Sequence, residues 1–92
     1  MTDTIKLSPV MDLVAANDFK VQLESQLNDK SEITIDGSEV ERILTPCIQL
    51  IVATDNELKK NNSKLIVTNA SDAFISAVTD LGLEKEYKDW SS

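Results

Sequence analysis

The sequence predicts an α/β fold, a small mixed, mostly parallel four-stranded sheet packed with three to four helices. Three observations predict it. From Lys20 onward the periodicity alternates helix, strand, helix, strand, helix, and strand–helix–strand units favour parallel pairing. Glu32-Ile33-Thr34-Ile35-Asp36 alternates apolar and polar with period two and carries β-branched residues, the pattern of a strand. Lys64 to Thr68 holds the unbroken run Leu65-Ile66-Val67, as expected of an interior strand covered on both faces.

Thr4 to Leu7 reads as a short first strand, ended by Ser8-Pro9, and Val10, Met11 and Leu13 as a second extended piece. Asn17 or Asp18 is placed to cap a helix through Lys30, because a side-chain oxygen there accepts an otherwise orphan amide. Phe19, Leu23 and Leu27 recur at four-residue spacing and form its apolar stripe. After the strand at Glu32–Asp36, Gly37-Ser38 turns the chain, and Val40 and Ile43 point inward from a loop. Thr45-Pro46 has the form of a helix start, threonine at the cap and proline at the first helical position. That helix runs to Lys60, with Ile48, Ile51, Val52 and Leu58 inward and Lys59-Lys60 beside the negative end of its dipole. Asn61-Asn62 closes it. Ser71 caps a last helix bearing Ala73, Phe74, Ala77, Val78 and Leu81, and Gly82 stops it in a left-handed conformation. The charged tail beyond carries Tyr87 and Trp90, which are expected to fold back over the sheet edge.

Bulk properties restrict the function. Ninety-two residues correspond to one domain, 1–92, with a single aliphatic core and no room for an enclosed catalytic cavity. The formal charge of −7 disfavours nucleic acid and anionic lipid, whose binding needs Lys and Arg to displace counterions. With no histidine, the commonest general base and metal ligand is missing. The single cysteine, Cys47, has no disulfide partner within the chain and suits a reducing compartment. No signal peptide and no membrane-spanning run is visible, so the expected location is cytoplasmic, without membrane insertion.

The order of these elements, the loop before the second long helix and the closing Leu81-Gly82-Leu83 resemble STAS domains, the fold of bacterial anti-sigma factor antagonists. Asp12, followed by Phe19-Lys20, is similar to the family's acid after its second strand and the Leu-Lys pair of its first helix. Asp36-Gly37-Ser38-Glu39-Val40 resembles its "Asp-x-Ser-x-Val" strand end. Leu44-Thr45-Pro46-Cys47-Ile48 aligns with its "Asp-Ser/Thr-Ser/x-Gly-Leu" loop. In antagonists regulated by phosphorylation, the resemblance implies, the second hydroxyl of that loop accepts phosphate from a kinase that is also the anti-sigma factor. Here that position is Pro46, the preceding acid is Leu44 and the glycine is Cys47, so phosphorylation at the usual position is ruled out. Thr45 matches the neighbouring hydroxyl, which is functionally important in the STAS subunit of the bacterial phospholipid-transport ABC system. Val40-Glu41-Arg42-Ile43 with Cys47-Ile48-Gln49-Leu50 is similar to small STAS proteins associated with chemotaxis kinases.

The expected function is therefore non-enzymatic: a regulatory adaptor that binds a sensor or anti-sigma kinase. The surface is Asp12, Arg42, Ile43, Leu44, Thr45, Pro46, Cys47 and Gln49, with Thr45 also a candidate modification site. A phosphate on Thr45 would meet the free amides of a helix N-terminus, although capping alone also accounts for a threonine there. Cys47 reads as a small buried hydrophobe rather than a nucleophile, and Asp36, Glu39 and Glu41 as solvated acids whose spacing matches no metal loop. No nucleophile–base–orienter set and no glycine-rich phosphate loop is present, and neither cofactor nor metal is expected. Two alternatives stay open, a STAS subunit of an ABC-type phospholipid transporter and a small-ligand or nucleotide sensor.

Overall fold

The computed structural model describes residues 4–29 and 32–91. Five strands and four helices follow one another as β1 (Ile5–Lys6), β2 (Val10–Met11), α1 (Leu13–Asp29), β3 (Glu32–Asp36), β4 (Arg42–Ile43), α2 (Thr45–Lys60), β5 (Lys64–Thr68), α3 (Asp72–Asp80) and α4 (Glu84–Trp90). The α/β class and the parallel pairing agree with the sequence, while the strands divide differently. β1, β3 and β5 form one parallel sheet in that order, and β2 and β4 form a second parallel pair.

The division follows from Pro9. Proline has no N–H to continue a ladder, and its carbonyl accepts from both Glu41 N (2.7 Å) and Arg42 N (3.0 Å). Lys6 pairs with Asp36 and Val10 with Arg42, so the Gly37–Glu41 side carries two more residues than the Leu7–Pro9 side. The extra residues bend the pair, as a bulge does. β5 is an edge strand rather than an interior one. Its apolar run reflects α2 and α4 packing against it; Leu65 and Val67 are buried and Ile66 half-buried.

Ile33 and Ile35 in β3 are wholly buried and meet Phe19 and Leu23 of α1, Ile48, Ile51 and Leu58 of α2, and Phe74 and Val78 of α3 in one core. α1 starts earlier than its apolar stripe suggests. Asp12 caps it, its Oδ1 accepting from Ala15 N at 3.0 Å, and Asn17 and Asp18 lie inside the helix; the expected end at Lys30 lies outside the described residues. α3 begins as expected, with Ser71 Oγ accepting from Phe74 N at 3.1 Å and donating to Val40 O at 2.6 Å. Gly82 has φ +75°. The charged tail is the helix α4, which seats Trp90 in the core at 0% exposure while Tyr87 packs on Phe74. Lys59 holds this helix from α2, 3.2 Å from the buried Asp55 carboxylate and 3.8 Å from Asp89.

Candidate functional site: the start of α2

β2 and β4 run parallel, so the helices that follow them start side by side. Leu44 N donates to Met11 O at 3.0 Å and fixes the first turn of α2 next to the first turn of α1. The cap of α2 is Leu44, in extended conformation with φ −85° and ψ 153°; Thr45 is the first helical residue and Pro46 the second. The cap role expected of Thr45 is therefore filled by a leucine, which offers no side-chain acceptor. The first turn instead closes through Leu44 O, which accepts from Cys47 N (3.0 Å) and Ile48 N (3.4 Å). Proline fits here because amides of the first turn have no intrahelical acceptor to lose. Thr45 is exposed, and among the described residues its hydroxyl has no hydrogen-bond partner.

The residues singled out from the sequence divide into a surface and its support. Asp12, Arg42, Leu44, Thr45, Pro46 and Gln49 are exposed, Ile43 is half-buried, and Cys47 is 0% exposed. The Cys47 thiol donates to Met11 O (3.4 Å) and approaches Asp12 O (3.6 Å). Burial, helped by the Asp12 carboxylate, pushes this thiol above its ordinary pKa, the reverse of what a reactive thiolate needs. Asp36 lies at the far end of the Gly37–Glu41 loop. Its carboxylate accepts from Ser38 N at 2.9 Å, and that bond holds it below its usual pKa. Lys6 pairs with Glu39 at 2.8 Å. No group of three or more potential metal ligands converges among the described residues, and none of the helices described there is long and apolar enough to cross a membrane.

Two apolar features flank Thr45. On one side is an open groove between α2 and the α3–α4 turn, lined by Thr45, Gln49, Val52, Leu81 and Leu83. On the other, Val10, Leu13, Val14 and Leu44 are 47%, 64%, 73% and 37% exposed. The single extended piece expected for Val10, Met11 and Leu13 holds for Val10 and Met11 in β2 but not for Leu13, which opens α1. Val14 had no role assigned from the sequence. The signal was Asp12 followed by Ala15-Ala16: a capping acid before good helix formers starts the helix at Leu13 and turns Val14 outward.

A family model described as "Mlab, STAS domain" matches residues 1–87. Among solved structures, the anti-sigma factor antagonist SpoIIAA in its unphosphorylated form superposes with a TM-score of 0.79 at 15% identity, covering 97% of this chain and 76% of that one. No curated protein matches the sequence.

Proposed function

The chain belongs to the STAS domain family, and from that premise we propose that it is a non-enzymatic regulatory adaptor that works in the cytoplasm by binding a signalling kinase. The kinase is of the chemotaxis or anti-sigma type. The binding surface is the start of α2: Arg42, Leu44, Thr45, Pro46 and Gln49, with Ile43 at its base and Asp12 at its margin. Cys47 supports this surface from below, holding the first turn of α2 against β2. The observation that carries the reading is Thr45, an exposed hydroxyl with no internal partner on the first turn of a helix, beside an apolar groove. A polar group left to the solvent next to exposed apolar surface is what a docking partner can cover and satisfy. Pro46 stands where phosphorylated antagonists carry their acceptor hydroxyl, so binding here is not switched at that position; Thr45 remains the available hydroxyl.

A second reading, a STAS subunit of an ABC-type phospholipid transporter, is favoured by one feature. The hydroxyl sits at Thr45 and not at position 46, as the resemblance to that subunit implies.

The test is retention of partners from native cytosol on the immobilised chain, compared with Thr45→Asp. An acid at this position suits a helix N-terminus, so the variant folds normally. Recovery of a sensor or anti-sigma kinase with the wild-type chain, reduced at least about ten-fold (about 1.4 kcal/mol) with Thr45→Asp, supports the adaptor reading. Recovery of transporter subunits selects the second reading. Equal kinase recovery with both chains shows that the surface lies elsewhere.

A further inference from the structure

Val10, Leu13, Val14 and Leu44 form one outward-facing patch that the core does not use. Val10 pairs with Arg42 across the short parallel ladder, Leu44 N is bonded to Met11 O, and Leu13 and Val14 open α1 immediately after its Asp12 cap. The stripe continues along α1 to Val21, 67% exposed. Val14 and Val21 are seven residues apart, about 10 Å along the axis, on the side of the helix opposite Phe19 and Leu23. Apolar groups left this exposed gain only part of the burial open to them, and their grouping is what an interaction surface shows.

The charges around the patch indicate what covers it. Asp12, Asp18 and Glu41 accompany it, with Arg42 beside Val10 and Lys20 seven residues after Leu13 on α1 as the cations, and none of Asp18, Glu41 or Arg42 takes part in an ion pair among the described residues. A second copy would bring the same acids against each other, with −7 on each chain, which costs association at low ionic strength. A complementary surface has apolar side chains flanked by Lys or Arg. Four side chains fall short of the roughly 800 Å² per partner that a stable interface buries, so the patch acts together with the adjoining surface at Thr45.

We propose that the face made by Val10, Leu13, Val14 and Leu44 receives a basic amphipathic helix of the protein partner, its apolar side chains on the patch and its cations over Asp12, Asp18 and Glu41. The inference rests on the adaptor reading and specifies the chemistry of the partner. A helix suits a face that is itself the outside of a helix, since ridges of one pack into grooves of the other.

The experiment titrates two designed 18-residue helical peptides, with the same leucine face and either lysine or glutamate opposite, into the isotopically labelled chain. Binding is followed by amide shifts and fluorescence anisotropy. The expected result is binding of the leucine/lysine peptide alone, weakened by salt, with shifts centred on Leu13, Val14, Glu41 and Leu44. Leu13→Ser combined with Val14→Ser weakens it about ten-fold; both positions are exposed, so the fold is retained. Equal binding of the leucine/glutamate peptide overturns the proposal, as do shifts centred on Leu81 and Leu83. So does sedimentation showing a dimer that the double variant abolishes. The outcome is independent of Thr45: peptide binding at the patch with kinase recovery indifferent to Thr45→Asp refutes the α2 surface alone, and the converse refutes the patch alone.

Discussion

The thiol of Cys47 donates to the main-chain carbonyl of Met11 across 3.4 Å, joining the first turn of α2 to the end of β2. A side chain too buried to touch a partner thus sets the position of the exposed Thr45 two residues before it.

Cys47 is therefore expected to resist alkylation. Iodoacetamide at neutral pH leaves the folded chain unmodified and reacts once the chain is denatured, because burial raises the thiol pKa. The sign of the pH dependence follows. In the unfolded chain the thiol ionises near its ordinary value of about 8.5, while in the folded chain it holds its proton longer. The unfolded state then binds fewer protons, so this group's contribution to stability declines as pH rises above about 8.5. Denaturant midpoints measured across that range for wild type and Cys47→Ala check it: the variant lacks this component of the alkaline decline.

Trp90 is the sole tryptophan and is wholly buried. Its emission is expected to be blue-shifted in the native state and to move to the red on unfolding. Trp90→Ala removes the anchor of α4 and costs about 3–5 kcal/mol. Trp90→Phe costs less, keeping an aromatic and sparing an indole N–H that has no partner among the described residues. Chemical denaturation of both variants tests the ranking.

Ser71 links α3 to the Gly37–Glu41 loop with one oxygen, accepting from Phe74 N and donating to Val40 O. Ser71→Ala is expected to cost about 1–2 kcal/mol, and Ser71→Thr, which keeps the oxygen, considerably less. Near-equal stability of all three chains would show that neither bond contributes.

Much of this arrangement was legible because it depends on local chemistry. Phe19, Leu23 and Leu27 gave the buried stripe of α1, the alternation of Glu32–Asp36 gave β3, and Ser71 and Gly82 bounded the last long apolar helix. What escaped depends on tertiary context. β4 is two residues long and exists only because β2 lies beside it. Leu65-Ile66-Val67 looks interior although its strand is an edge, since helices cover it rather than strands. α4 has a charged sequence whose one buried residue, Trp90, is held by distant elements.

At the candidate site, Thr45-Pro46 correctly marked the start of α2, but the cap fell one residue earlier, on Leu44. Dihedral angles decide that placement, and residue preference alone does not. The exposed face of Leu13 and Val14 was hidden for the same reason: apolar residues next to a strand look inward until the helix start at Leu13 fixes which way they turn.

The most direct test of the central claim is amide hydrogen exchange of the chain, alone and with a sensor or anti-sigma kinase recovered from cytosol. The account predicts slowed exchange across Glu41–Leu50, in the strand and first turns that present Thr45. Unchanged exchange there, with protection confined to β5 and α4, would contradict it.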